Sequence, residues 1–133
     1  MGHTERVWHV AWSPDGKSIV SCGEDKVIRI WSGDNNSEDQ YFKSIKCICT
    51  LEEGQSRTVR CCEWSPNSKM IASASFDGTV VVWHAQDNSM LYWDQIASLE
   101  GHENEVKSVN WSHDGKFLAT CGRDKKIWIW EKV

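Results

Sequence analysis

Apolar and polar residues alternate along short stretches of the chain, and the alternation recurs in each third of the sequence. In the first stretch Val7, Val10 and Trp12 stand among polar neighbours, and Ser-Pro-Asp-Gly follows at residues 13–16. Alternation of this kind predicts a strand with one buried face, and Asp and Gly suit the tight turn of a hairpin. The equivalent inward apolar residues of the later stretches are Val59, Cys62, Trp64, Val106, Val109 and Trp111.

Each first strand is followed by further predicted strands in the same order. Second strands are predicted at residues 19–22, 71–74 and 118–121, and third strands at 27–31, 80–83 and 127–130. The β-branched and aromatic content of the third strands suits strands covered on both faces. Weaker fourth strands are predicted at 46–51 and 95–99, with none in the last copy. Residues 32–45 and 85–89 read as polar loops.

A fixed spacing shows that these stretches are copies of one structural unit. Trp12, Asp25 and Trp31 come 9, 22 and 28 residues after His3, and the same steps hold from Gln55 and from His102. This period is typical of the WD40 repeat, whose copies are four-stranded propeller blades. We therefore predict an all-β fold with blades at residues 1–53 (including a long loop at 32–45), 54–100 and 101–133, the last blade lacking its outer strand. Because a closed propeller needs four to eight blades, the fold is predicted to be partial, with bare end faces and unpaired edges.

Composition and charge narrow the function classes. The chain has 133 residues, a net charge of −4, 40% hydrophobic residues and nine Trp, which excludes a disordered chain and disfavours general attraction to nucleic acid or membranes. No apolar run approaches the length of a membrane span, and the N-terminus lacks the apolar region of a signal peptide. We expect a soluble protein of the cytoplasm, with the nucleus as a further location.

Six cysteines raise the question of a metal or cluster site. Cys47 and Cys49 are predicted to share one face of a strand, whereas Cys61 and Cys62 point oppositely. No Cys-x-x-Cys pair occurs, so we favour reduced, buried thiols over zinc or cluster ligation, and we expect no cofactor.

Three sets of polar residues recur at the repeat spacing, and we call them the first, second and third polar networks. Each contains His or Gln, a hydroxyl residue, Asp and Trp, as expected for a buried chain of hydrogen bonds that an indole N–H closes. A competing interpretation is a hydrolase that uses His102, Thr120 and Asp124, but the duplication of the set favours a structural role and no catalytic residues. The networks are His3, Ser21, Asp25 and Trp31; Gln55, Ser73, Asp77 and Trp83; and His102, Thr120, Asp124 and Trp130.

Residues that precede each network Asp, or that open each first strand, should face one mouth of the disc. Exposed Arg and aromatic side chains anchor protein interfaces, so this face is the predicted partner-binding surface. The competing interpretation is an ordinary solvated rim. The candidate binding residues are Arg123, Arg60, Lys107, Phe76 and Trp8.

Several strings resemble one family, the WD40 proteins of cytosolic iron–sulfur protein assembly. They lie at residues 19–25, 28–31, 56–60, 72–77, 99–109 and 119–125; the string Leu-Glu-Gly-His-Glu-Asn-Glu-Val-Lys-Ser-Val at 99–109 is the most specific. The resemblance covers nearly the whole chain but only the first three of the family's seven blades. The loop at 32–45 is longer than the family's.

The resemblance implies a non-enzymatic adaptor of the cytosolic iron–sulfur targeting complex, which helps to deliver clusters to apoproteins. Its partners would be the other subunits of that complex and apoprotein clients, without direct binding to nucleic acid or membranes. It also implies that Arg123 is a basic surface position of the third blade. The alternative is another WD40 adaptor, such as a ubiquitin-ligase substrate receptor or a chromatin-associated scaffold.

Overall fold

The structure, a computed structural model, describes residues 2–33 and 44–132, and within these ranges it contains β-strands and no helix. None of the described residues therefore belongs to a helix that could cross a membrane. The strands are β1 (Val7–Trp12), β2 (Ser18–Gly23), β3 (Ile28–Gly33), β4 (Ile45–Leu51), β5 (Val59–Trp64), β6 (Met70–Ser75), β7 (Thr79–Ala85), β8 (Trp93–Glu100), β9 (Val106–Trp111), β10 (Phe117–Gly122) and β11 (Ile127–Glu131).

The strands form three antiparallel sheets in sequence order. The first sheet runs β1-β2-β3-β4, the second β5-β6-β7-β8, and the third, with three strands, β9-β10-β11. Turns such as Ser13 to Ser18 join neighbouring strands, and the Ser13 amide donates to the Ser18 carbonyl at 2.8 Å. The predicted all-β fold of repeated antiparallel sheets in an open, partial arrangement, with an incomplete last copy, is confirmed.

Two hydrophobic cores hold the sheets face to face. One core lies between the first and second sheets and contains Val20, Ile30 and Ile71; the other lies between the second and third sheets and contains Ala72, Val80 and Val109. The second sheet is therefore covered on both faces, and every residue of β6 is buried. Strands β1, β5 and β9 are the inner edges of the three sheets and lie side by side.

The prediction that the apolar residues of β1 point inward was wrong. Val7, Val10 and Trp12 are 52%, 62% and 54% exposed, because no described element packs on the outer face of the first sheet. The outer face of the third sheet is equally bare, with Ile127 77% and Ile129 62% exposed. We predicted that the third strands are covered on both faces. This is correct for β7, which lies between two sheets, and wrong for β11.

A β-bulge corrects the prediction for the cysteines of β4. The register shifts between the pairs Ile30–Cys49 and Trp31–Cys47, so the Cys47 thiol lies beside Arg29, 3.7 Å from its guanidinium, while Cys49 packs on the core. Cys47 and Cys49 thus occupy opposite faces. Cys61 and Cys62 also point oppositely, as predicted, one into each core. Residues 34–43 of the predicted polar loop lie outside the described residues.

Candidate functional site

The first and third polar networks have the same geometry. His3 Nδ1 lies 2.9 Å from an Asp25 carboxylate oxygen, and its Nε2 lies 2.7 Å from the Ser21 hydroxyl. Trp31 closes the set by donating its indole N–H to the same hydroxyl at 2.8 Å. In the third network the His102–Asp124 and His102–Thr120 distances are both 2.8 Å, and Trp130 donates to the Thr120 hydroxyl at 2.9 Å.

The order of donors in these networks follows from what each group can do. An indole N–H can only donate, so the Thr120 oxygen accepts from Trp130 and its own proton is free to reach His102 Nε2. With Nε2 as acceptor, Nδ1 carries the proton and donates to the Asp124 carboxylate. A neutral imidazole therefore gives every group a partner, and the Thr120 hydroxyl both donates and accepts within a residue that is only 2% exposed.

The second polar network is arranged differently because Gln55 replaces histidine. Ser73 donates to the Gln55 carbonyl oxygen at 2.8 Å, and the Gln55 amide donates to the backbone carbonyls of Ser73 and Thr79. Asp77 accepts instead from Ser56 and Thr79, and the buried indole N–H of Trp83 has no hydrogen-bond partner. The second sheet thus brings Gln55 and Ser73 together, but Asp77 and Trp83 take no part in their chain of hydrogen bonds.

The network carboxylates are held in their charged form. Burial alone would raise the pKa of Asp25, but hydrogen bonds from His3 and from two backbone amides outweigh it and lower the pKa. Burial would likewise raise the pKa of Asp77, but hydrogen bonds from Thr79 and Ser56 outweigh it and lower the pKa. Both aspartates therefore act as fixed acceptors that tie the turn after the second strand to the segment before the first.

An exposed face carries the candidate binding residues, and we call Trp8, Arg60, Phe76, Lys107 and Arg123 the basic–aromatic face. At one end Trp8 is 39% exposed, and the Arg60 guanidinium lies 5.2 Å from the centroid of its ring. Arg6 approaches the same ring at 5.7 Å. Arg60 also donates to the Trp8 carbonyl at 3.4 Å, so this contact joins the first and second sheets.

The face continues across the second and third sheets. Lys107 Nζ lies 4.1 Å from the centre of the Phe76 ring, and Arg57 donates to the Phe76 carbonyl at 3.0 Å. Arg123 pairs with Glu105 at 3.4 Å, and its side chain is 68% exposed. Arg57 also lies 4.0 Å from Glu105, so two cations share this carboxylate, while Arg60 and Lys107 rest on aromatic rings. The binding role of the five residues stays a prediction.

One group of chemically active side chains is not predicted by the sequence patterns above. His9 Nε2 lies 2.9 Å from a Glu63 carboxylate oxygen, and the Cys61 sulfur lies within 4.8 Å of both. Burial raises the pKa of the Cys61 thiol to about 11, and the Glu63 carboxylate acts in the same direction. The repeat spacing held a signal, since His9 and Cys61 both come six residues after the first residue of their networks. Such equivalent positions meet where inner strands lie side by side.

The other thiols do not form such a group within the described part of the chain. Cys22 and Cys62 are fully buried neighbours, and burial raises the pKa of Cys62 well above its usual value. Cys121 is exposed and lies on the third sheet.

Comparison with known proteins agrees with this geometry. The profile of the family described as "WD domain, G-beta repeat" matches residues 1–32, 45–84 and 87–131. The chain is 48% identical to "Protein CIA1" of Arabidopsis thaliana over 75% of its own length and 28% of the relative's. It is 40% identical to the "Probable cytosolic iron-sulfur protein assembly protein CIAO1 homolog" of Caenorhabditis elegans over 97% of the chain and 37% of that protein.

A fungal relative shows the same pattern. The "Probable cytosolic iron-sulfur protein assembly protein 1" of Mycosarcoma maydis is 37% identical, with 98% of this chain and 36% of that protein covered. The chain thus spans about a third of the length of these relatives. The resemblance to relatives named for cytosolic iron–sulfur protein assembly is confirmed over most of the chain.

Proposed function

The chain belongs to the WD40 repeat family, and on that basis we propose that it is a non-enzymatic adaptor in cytosolic iron–sulfur protein assembly. Its curated relatives carry that process in their names. We assign it a docking role, in which it holds other subunits of the targeting complex and apoproteins that receive clusters. The names of these relatives also support a cytosolic location and give no support to a nuclear one.

The observation that carries the docking role is the basic–aromatic face. Its cations contact aromatic rings or pair with Glu105, whose side chain is 13% exposed, so they lose less side-chain freedom on binding than cations without such contacts. Arg and large aromatic side chains are the residues that contribute most to protein–protein affinity. The face therefore suits a protein partner with acidic and apolar groups.

The polar networks support the non-enzymatic assignment. A hydrolase would need the hydroxyl of Thr120 or Ser21 to reach a substrate carbonyl, but these residues are only 2% and 6% exposed. Each hydroxyl also already accepts an indole N–H. We therefore assign the Asp–His–hydroxyl sets to the stability of their sheets.

The test is a charge reversal on the face, Arg123→Glu, in the full chain. Affinity purification from cells followed by mass spectrometry should show loss of the iron–sulfur targeting subunits and clients that the unmodified chain retains. Binding to a purified subunit should weaken at least about tenfold, as for an interface anchor. The matched control is Lys69→Glu, which makes the same charge change at an exposed turn at the other end of the strands.

The outcomes separate the competing adaptor functions. Equal loss of partners in both variants would reject the role of the face, as would unchanged binding by the Arg123→Glu variant. Retention of ubiquitin-ligase or chromatin subunits in place of iron–sulfur targeting subunits would reject the proposed process and favour the other adaptor class. Thermal unfolding of both variants should match the unmodified chain, because Arg123 and Lys69 are exposed.

A further inference from the structure

Three side chains of metal-binding type converge at the inner edge of the first two sheets. His9 is on β1, and Cys61 and Glu63 are on β5. The His9 nitrogen and a Glu63 oxygen are 2.9 Å apart, and all three potential ligand atoms lie within 4.8 Å of one another. Imidazole, thiolate and carboxylate together make a donor set that Zn²⁺ accepts.

Local backbone irregularities produce this convergence. Each inner strand carries a register shift, between Val7 and His9 in β1 and between Val59 and Cys61 in β5. After its shift, β5 alternates regularly, so Cys61 and Glu63 point to the same side. The shift in β1 places His9 on that side as well, where its ring reaches across to Glu63.

We propose that His9, Cys61 and Glu63 bind a single Zn²⁺ ion, with water completing a tetrahedral shell. Ligand atoms of such a site are separated by roughly 3.5 Å, given Zn–N, Zn–O and Zn–S bonds of about 2.0–2.3 Å. The His9–Glu63 pair therefore opens by about half an ångström, and the thiol moves inward from its 3.8 Å contact with the Val109 carbonyl. On coordination the Cys61 thiol gives its proton to solvent.

The electrostatics of the cluster favour a cation. A carboxylate lies beside a thiol, and the ion-pair partner of Glu63 within residues 2–33 and 44–132 is His9, whose imidazole is a neutral ligand when it binds metal. A divalent ion would neutralise both anionic ligands at once. The route to the cluster is open, because the His9 and Glu63 side chains are 29% and 28% exposed.

The rival interpretation is a hydrogen bond between two sheets beside an unrelated core thiol. It predicts that His9, Glu63 and Cys61 do not bind one metal ion together. It also predicts that any metal binding by the chain depends on the exposed Cys121 or on Cys47, which lies beside Arg29. The two interpretations therefore differ in which substitutions abolish binding.

The experiment uses the full chain, freed of metal with a chelator, reduced and titrated with Co²⁺ as a spectroscopic probe. We expect one equivalent of Co²⁺ to give the ligand-field bands of a tetrahedral site and a sulfur-to-cobalt charge-transfer band. Stoichiometric Zn²⁺ should displace the Co²⁺ ion, so that both sets of bands disappear. The Cys61→Ser variant should lose the charge-transfer band, and His9→Asn and Glu63→Gln should each weaken binding at least about tenfold.

The controls are Cys121→Ser and Cys47→Ser, which should keep the bands and the affinity. Circular dichroism checks the fold of each variant; should Cys61→Ser not fold, the partly exposed His9 and Glu63 decide the matter. Absence of a charge-transfer band in the unmodified chain overturns the site. Unchanged affinity in the His9→Asn and Glu63→Gln variants, or loss of the band in either control, also overturns it.

Discussion

The first residue of each polar network determines how many buried polar groups of its sheet have a hydrogen-bond partner. Histidine offers two ring nitrogens on opposite sides, so His3 and His102 bridge a carboxylate and a hydroxyl over one ring. Gln55 has its donor and acceptor at the same end and turns both towards Ser73 and the Thr79 backbone. The indole of Trp83 is left as a buried donor without an acceptor. An unpaired buried donor of this kind costs about 1–3 kcal/mol.

The substitution Gln55→His should stabilise the chain. A histidine here can accept from the Ser73 hydroxyl and donate to Asp77, and the Ser73 oxygen, to which no group donates in the described structure, can accept from Trp83 as in the first and third networks. We expect a gain of about 1 kcal/mol in the free energy of unfolding, since the two backbone contacts of Gln55 are lost. Urea unfolding measures this change.

The matched control for this substitution is Gln95→His, on the exposed part of β8. It should leave the free energy of unfolding unchanged within about 0.5 kcal/mol. A Gln55→His variant less stable than the unmodified chain would show that the amide contacts with Thr79 outweigh the indole bond.

At the scale of elements, each complete network connects parts of a sheet that the strand ladder leaves separate. The third network joins the segment before β9 to β10, to the turn after β10 and to β11. A propeller sheet has only its own strands and its neighbours to hold it, and the third sheet has one neighbouring sheet in the structure. Its stability should therefore depend strongly on these bonds.

The substitution Thr120→Val tests this dependence. It keeps the shape of a side chain that is 2% exposed but leaves His102 Nε2 and the Trp130 indole without their shared partner. We expect a loss of about 2–3 kcal/mol in the free energy of unfolding. Hydrogen exchange should show the loss concentrated in β10 and β11. A variant that keeps its stability while losing a hydrolytic activity would contradict the structural role and support an enzyme.

Strands were predictable from sequence because two independent signals coincide on them. Apolar residues among polar neighbours mark the strand β1, and the Ser-Pro-Asp-Gly turn after it indicates where it ends. The bulge in β4 was not predictable, because an inserted residue leaves the apolar pattern of Cys47 to Leu51 almost unchanged while it reverses one side chain. Local sequence patterns therefore predict where strands lie but do not predict the β-bulges within them.

The candidate site was predictable to the same degree. The face residues follow from their place in the repeat, since Arg60 and Lys107 occupy equivalent positions of successive copies. The repeat spacing places His9 and Cys61 at equivalent positions, but the local pattern does not indicate the two register shifts on which their cluster depends. The inward direction of Val10 was wrong for another reason: whether a face is buried depends on what packs against it.

In the described part of the chain, three sheets stack on one another, and apolar side chains are exposed on the outer face at each end. Val10 is 62% exposed on one end face, and Ile129 is 62% exposed on the other. Contiguous apolar surface of this kind promotes self-association. The isolated chain should therefore associate in a concentration-dependent manner, which sedimentation velocity measures.

The double substitution Val10→Glu and Ile129→Lys should reduce this association without loss of stability. Both side chains are largely exposed, so charges there stay hydrated and the two cores are untouched. A control with the same charges on the polar surface, Asn88→Glu and Ser98→Lys, should associate like the unmodified chain. Equal association of all three proteins would show that the end faces do not drive it.

The two end faces are unlike each other, because one is the outer side of a four-stranded sheet and the other that of a three-stranded sheet. Successive sheets are related to one another by a similar rotation about the inner strands. The outer face at one end of a copy can therefore pack on the opposite end face of another copy, as successive sheets pack within the chain. Self-association through them is then polar in direction: it extends head to tail, and it terminates only if the accumulated rotation brings the last copy back to the first.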